Sequence, residues 1–388
     1  MTSAPHTRPS GEPEAISGPA AARLAVTRLR LTNFRSYATG EIAVSGAPVV
    51  LAGPNGAGKT NVLDAISLLS PGRGLRGAKL ADHARKGPHA ADTLWAVAAT
   101  VTRGGGAHEI GTGLTGASAA RQVRLNGAAA GSSADLGDIV QLIWLTPAMD
   151  RLFTESAGGR RRFLDRLVLG FDAGHARAAT RYETAMRERA RLLKYGPRDP
   201  AWLDGLENEM AESGVLIAQA RAATVEKLAG ALAERGEAGA FPAASLALTD
   251  ELHLESADDL RGRFAAGRMR DAEAGRTLAG PHTTDLHVRH TGKRADARDC
   301  STGEQKALLI SIMLADAREL ARARGGMAPL LLLDEIAAHL DSTRRAALFE
   351  EIAALGAQAW MTGTDLSLFT GARAEIFLVE DGQFLRQE

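Results

Sequence analysis

Eight consecutive residues carry the clearest chemistry in the chain. Gly53-Pro54-Asn55-Gly56-Ala57-Gly58-Lys59-Thr60 has the spacing G-x-x-x-x-G-K-[ST], the form of a loop that wraps the phosphates of a nucleotide. Its glycines let backbone N–H groups turn inward onto a phosphate, and the helix that should follow adds partial positive charge at its N-terminus. Lys59 has the reach for the β- and γ-phosphates of ATP, the Thr60 hydroxyl can ligate Mg²⁺, and Asn61 completes the loop's first helical turn.

A second chemical group lies far along the chain. Leu330-Leu331-Leu332-Leu333 runs into Asp334-Glu335, four strand residues ending in two carboxylates. At the C-terminal end of a central parallel strand Asp334 would sit beside the phosphate loop and hold the Mg²⁺ shell, and Glu335 would orient or deprotonate an attacking water. Ser301-Thr302-Gly303-Glu304-Gln305-Lys306 opens a helix. It reads as an N-cap, and equally as a helix N-terminus offered to a γ-phosphate.

These groups need elements to position them. Leu24–Phe34 alternates like a strand, and 48–52 is a short buried strand that leads into the loop. Gly58–Leu69 has helical spacing. Segments 94–101, 109–114 and 121–125, with an Asn126-Gly127 turn, form an antiparallel patch, and Ile139–Leu145 is a further strand stopped by Pro147. Residues 158 to about 235 carry few turn signals and dense Ala, Arg, Glu and Leu, so two long helices broken at Gly196-Pro197 are expected. The heptad spacing of Leu203, Leu206, Met210 and Ile217 fades after Ile217. Beyond Phe241-Pro242 the chain returns to strands (245–248, 286–288, 330–333, 358–361, 376–379) and helices (303–323, 343–354).

The 388 residues, 45% hydrophobic and 24% charged, suit an ordinary globular protein with two cores, or one core and a large insertion. The expected organisation is a tail over 1–22, disordered or a misassigned start, then an α/β head over 23–150, an inserted helical arm over 151–275 and the rest of the head over 276–388. The tail lacks a signal-peptide core, and the longest apolar run, 329–333, is strand-length, which excludes a membrane-integral reading. The lone Cys300 fits the reducing cytoplasm. Basic and acidic residues balance at 46 each, so a nucleic-acid surface must be local. The local surplus lies in 151–200, twelve basic against six acidic. Arg160, Arg161, Arg162, Arg187, Arg189 and Arg191 are the DNA-phosphate candidates. The competing reading is a solvated helical face, or internal pairs with Asp165. With 4% aromatics, no base-stacking platform stands out.

Phosphate loop, signature-type helix start and Leu-rich strand, in that order, resemble an ATP-binding-cassette head. Leu31-Thr32-Asn33-Phe34-Arg35-Ser36-Tyr37 resembles the opening strand of SMC, Rad50 and RecF heads. The stretch 153–194, with 159–165 and Arg181-Tyr182, and Gly280-Pro281-His282 followed by Asp285-Leu286, resemble the RecF family. That resemblance implies an ABC-type P-loop ATPase head, a mixed sheet plus an antiparallel β patch, with an α-helical arm. It implies ATP and Mg²⁺, with Arg35 and Ser36 near the nucleotide. Ser301, Gly303 and Glu304 would act in trans on a second subunit's ATP, Asp341 would lie in the D-loop, and Gln141 would sense Mg²⁺. It further implies an ATP-dependent homodimer that clamps duplex or single-strand DNA at gaps and hydrolyses ATP slowly, with RecR and RecO as partners in recombinase loading, replication and the SOS response. The sequence departs from the family pattern at Glu304, at Thr283-Thr284, and at Thr362 and Thr364, where a switch His is expected. The rival readings are a faster ATPase serving a transporter or nuclease, and a DNA clamp whose ATPase is vestigial.

Overall fold

The structure, a computed structural model, describes residues 23–86, 93–116, 120–196, 199–236, 239–249 and 256–387. The expected tail and the Pro197 half of the expected helix break lie outside them. The chain opens with β1 (Leu24–Phe34), β2 (Tyr37–Ala43), β3 (Val49–Ala52), α1 (Lys59–Ser67), β4 (Thr93–Arg103), β5 (Gly106–Thr115), β6 (Gln122–Leu125), β7 (Ala128–Ala129) and β8 (Leu142–Leu145). Then come α2 (Ala157–Phe171), α3 (His175–Tyr195), α4 (Pro200–Arg235), β9 (Ala244–Leu248) and α5 (Ala257–Ala274). The last part holds β10 (Leu286–His290), β11 (Ala295–Asp296), α6 (Thr302–Ala323), β12 (Leu330–Leu333), α7 (Ser342–Leu355), β13 (Ala359–Gly363), β14 (Glu375–Glu380) and β15 (Gln383–Gln387).

The central sheet runs β15-β14-β3-β13-β12-β8, parallel except for the β14–β15 hairpin. Every residue of β3, β12 and β13 is buried, as expected of parallel strands covered on both faces. Alternation divides their side chains. Val49, Leu51, Leu330, Leu332 and Trp360 pack against α1 and the antiparallel sheet β2-β1-β4-β5-β6-β7. Val50, Leu331, Leu333 and Met361 face α2, α6 and α7. The aligned C-terminal ends of β3, β12 and β13 therefore form one edge, where ligands of open parallel sheets bind.

α4 is the beam that joins arm to head. Its 36 residues span about 54 Å. Met210, Ala211 and Ile217 pack in a small core with Tyr182 of α3 and Leu260 and Phe264 of α5. Val225, Leu228 and Leu232 belong to the main head core. The heptad spacing fades after Ile217 because the helix leaves one core for the other. α2 also lies in the head core, so the part of 151–275 with its own core is narrower than the whole segment. The expected first long helix is two, parted at Asp172, whose Oδ1 accepts the Gly174 N–H at 2.8 Å. The sequence signals do not announce α5, β2, β11 or β15. Among the described residues no helix is long and apolar enough to cross a membrane.

Candidate nucleotide site

β3 feeds the loop at the sheet's C-terminal edge, and α1 starts at Lys59. The backbone demands glycine at Gly58. Its φ is +108°, and a Cβ there would lie 2.7 Å from the Tyr37 hydroxyl. Lys59 is 4% exposed, and its ammonium donates to the carbonyls of Gly53 at 2.6 Å and Pro54 at 2.8 Å. Burial lowers its pKa, and the charges of Glu335 and Asp334 oppose that shift. The loop is thus a cradle of turned backbone with one cation folded under it.

Thr60, Asp334 and Thr362 meet at one atom. The Thr60 and Thr362 hydroxyls each donate to Asp334 Oδ1 at 2.8 Å. Thr362 Oγ1 also accepts the backbone N–H of Glu335 at 2.9 Å. Glu335 has φ +50°, a left-handed conformation that a non-glycine residue adopts only when its surroundings hold it. Thr362, near the C-terminal end of β13, is that hold. A hydroxyl and a carboxylate oxygen in contact beside a phosphate cradle form a hard oxygen donor set, the kind Mg²⁺ takes. The residues present therefore fit both a nucleotide and its cation.

Ser36 and Asn61 also reach the loop. Asn61 Nδ2 donates to Ser36 Oγ at 2.9 Å, and Arg76 donates to Asn61 Oδ1 at 3.1 Å. Arg35, next to Ser36, is engaged along α1. Its Nε and Nη2 hold the fully buried Asp64 at 2.9 and 2.8 Å, and Nη1 donates to the Asp82 carbonyl.

The α6 start is a surface feature. The Ser301 N–H and hydroxyl both donate to Glu304 Oε2, at 3.0 and 2.9 Å. The contact with Lys293, together with these two donors, holds the Glu304 carboxyl at about 2. Ser301 and Gly303 are exposed, and among the described residues Ser301, Gly303 and Glu304 make no hydrogen bond to the phosphate loop of their own chain. Asp341 caps α7, accepting the Arg344 N–H at 2.8 Å.

Two expectations fail. Gln141 stands at the opposite edge of the sheet. Its carbonyl accepts the Leu330 N–H at 2.9 Å, whereas the site edge is marked by Leu145, which accepts from Asp334. One β12 length, about 13 Å, separates them, so Gln141 is no Mg²⁺ ligand. Arg189 is wholly buried and bonded to Glu207 Oε1 (2.8 Å), Asp271 Oδ2 (2.7 Å), Thr277 Oγ1 (3.1 Å) and the Phe264 carbonyl (2.8 Å). It holds α3, α4 and α5 together and cannot reach DNA. Arg160 is likewise engaged, with both Asp285 oxygens at 2.8 and 2.7 Å, and Arg161 donates to the Thr284 carbonyl. Arg162, Arg187 and Arg191 are exposed.

The Gly-Pro-His segment proves to be a structural joint. His282 Nε2–H donates to the Thr277 carbonyl at 2.9 Å, which leaves Nδ1 to accept the Tyr182 hydroxyl at 2.7 Å. Arg221 spans from both Asp165 oxygens to the Pro281 carbonyl. Asp165, Tyr182 and Arg221 thus tie α2, α3 and α4 to this loop.

The RecF/RecN/SMC N-terminal domain family matches residues 25–381. The chain is 51% identical to the DNA replication and repair protein RecF of Mesorhizobium japonicum over 92% of its own length and 96% of that protein's. To the RecF of Agrobacterium fabrum it is 50% identical, over 93% and 98%. Among solved structures it resembles a recombination mediator RecF of the RecFOR pathway, solved as RecF-ATPrS, with a TM-score of 0.83 at 21% identity over 95% of this chain and 99% of that one. It also resembles an Smc head from Pyrococcus furiosus bound to a C-terminal domain of ScpA, with a TM-score of 0.52 at 18% identity over 94% and 96%. The fold is that of an SMC-type ABC ATPase head.

Proposed function

The chain belongs to the RecF family of DNA replication and repair proteins, and from that premise we propose that it works as an ATP-gated DNA clamp of recombinational repair. The observation that carries this reading is the split between its two half-sites. Phosphate cradle, carboxylates and Thr362 converge at the sheet edge, while the α6 start stands exposed and unused by its own chain. A second copy of the chain would bring its Ser301, Gly303 and Glu304 onto the bound γ-phosphate, with Asp341 crossing beside them, and so close a dimer over two ATP molecules. ATP then acts as a population switch, because the γ-phosphate binds the closed state and not the open one.

In this scheme the loop N–H groups and Lys59 bind the β- and γ-phosphates. Lys59 exchanges its two carbonyl partners for phosphate oxygens, a stronger charge-assisted pairing. Thr60 and Asp334 would hold Mg²⁺, which when bound neutralises phosphate charge. Glu335 accepts the proton of the attacking water. Hydrolysis is slow and DNA-stimulated, and it reopens the dimer. Arg35 acts through α1 by way of Asp64. Duplex or gapped DNA is held by backbone contacts without sequence preference, and RecR and RecO join the clamp at gaps in the cytoplasm.

Light scattering tests the scheme. The mass of the chain with ATP–Mg²⁺, with and without short duplex DNA, should double with ATP, retain DNA, and remain monomeric in Lys59→Met. A monomer under every condition overturns the clamp.

A further inference from the structure

We propose that a cavity of about 380 Å³ at the root of the arm, between α2, α3 and the turn after α5, seats a phosphodiester of the nucleic-acid backbone. This deepens the proposed DNA-binding function and rests on it. The cavity is lined by Arg161 of α2, Arg187 of α3 and Arg276 after α5, together with His282 and Thr283 of the Gly-Pro-His loop, and among the described residues no carboxylate lines it.

The arginines around it sort into two groups. Arg160, Arg189, Arg221 and Arg268 each pair with an Asp or Glu at 2.5–2.8 Å. Among the described residues Arg161, Arg187 and Arg276 pair with none. Arg161 gives Nη1 to the Thr284 carbonyl and Arg187 gives Nε to the Glu183 carbonyl, both neutral acceptors. His282 does not offset or add to this charge. Its two ring nitrogens are bonded as donor and acceptor, and burial, first among several causes, lowers its pKa. Three guanidinium groups thus face one cavity lined by no described carboxylate. Asp285 and Asp165, each already paired with another arginine, act on Arg161 only from outside it, and an anion in the cavity relieves the remaining positive charge.

A strand of backbone fits the surroundings better than a small anion. Arg187 and Arg276 are exposed, so the cavity opens to solvent. Arg191 and Lys194 follow Arg187 at four and seven residues and are exposed on the same helix, continuing the positive charge along about 10 Å of α3. Guanidinium forks suit phosphate oxygens, and contacts limited to phosphates carry no base preference.

The test is fluorescence anisotropy of a labelled duplex with the full chain and ATP–Mg²⁺, across a salt series. Arg187→Ala and Arg276→Ala should each lower the slope of log affinity against log salt by about 1, and the double variant by about 2. Arg177→Ala, on an exposed α3 position outside the cavity, should not change it. Binding of a fluorescent ATP analogue should match wild type in all four variants. Variants that bind duplex like wild type overturn the phosphate seat, leave DNA binding intact, and hand these cations to an acidic protein partner. Weaker binding with an unchanged slope also overturns it, since the arginines would then act only through the fold. A wild-type chain without DNA affinity overturns the DNA-binding function itself, and the seat with it.

Discussion

Thr60 and Thr362 donate to the same oxygen, Asp334 Oδ1, each at 2.8 Å. One threonine comes from the phosphate loop and the other from β13, so the carboxylate is set by two strands and a helix start at once. Only Thr362 also grips the Glu335 backbone. It is therefore a positioning residue for the proposed general base. Thr362→Val should cost about 1–3 kcal/mol of stability, since it strands a backbone N–H and a buried acceptor. ATP affinity should stay within a few-fold of wild type, because Lys59 and the loop are untouched. Turnover should fall, by as much as about 100-fold, and Thr362→Ser should restore it. Unchanged turnover in the valine variant would remove Thr362 from this role.

Gly280 has φ +129°, and a Cβ there would sit 2.3 Å from the Tyr182 hydroxyl. The joint between arm and head is closed by that approach. Gly280→Ala should destabilise by more than about 2 kcal/mol, through backbone strain and clash together. Tyr182→Phe removes the clashing oxygen and the His282 bond. The alanine substitution should therefore cost less in the Tyr182→Phe background than in wild type. Equal costs in a urea-denaturation double-mutant cycle would show that the contact is not what excludes a side chain at Gly280.

Asp316 lies on α6 inside the head core, 2% exposed, and among the described residues its Oδ1 has no hydrogen-bond partner. Burial raises its pKa to about 8, and Arg166 only partly opposes that. The sign follows from proton binding. Between the ordinary carboxyl value of 3.8 and about 8, the folded chain keeps a proton that the unfolded chain has released. This group therefore loses stability as pH rises, by about 1.4 kcal/mol per pH unit, and the loss levels off above 8. Asp316→Asn keeps the shape and removes the titration. The variant should match wild type near pH 4 and become the more stable of the two as pH climbs to 8. A constant gap across thermal melts from pH 5 to pH 8.5 would refute this.

Both proposed half-sites are legible in the sequence because each part is a local motif. Gly53–Thr60, Leu330–Glu335 and Ser301–Glu304 announce a strand end or a helix start within a few residues, and chain direction then places them. Gln141 misleads because the strand signal runs from Ile139 onward and a strand glutamine carries no mark of which end of a parallel strand faces the site. The turn at Pro147 marks the C-terminal end of that strand, and Gln141 lies at the other. α5 gives no clear apolar stripe, because its buried positions are Leu260, Phe264, Gly267 and Asp271, two of them not apolar. Its capping box, Ser256 with Asp259, was the available signal. Charge density, by contrast, could not divide the arm's arginines. Helical spacing could have done so for one of them. Arg189 continues the buried series Ala178, Tyr182, Ala185 and precedes Leu192.

That placement makes Arg189 and Arg187 opposites, two residues apart on one helix. Arg189→Met leaves Glu207 and Asp271 buried without their shared cation, and although Arg268 still reaches Glu207, Asp271 loses its only ion pair among the described residues. The cost should be about 3–5 kcal/mol, read as a lower urea midpoint, and Arg189→Lys should recover little of it, because one ammonium cannot span four acceptors. Under conditions where the variant remains folded, the salt slope of DNA binding should equal that of wild type, since Arg189 touches no solvent. Arg187→Ala should do the reverse, lowering the slope and leaving the midpoint within about 0.5 kcal/mol of wild type. A slope change in Arg189→Met with an unchanged midpoint would return this residue to the DNA surface and break the division between the arm's structural and phosphate-facing arginines.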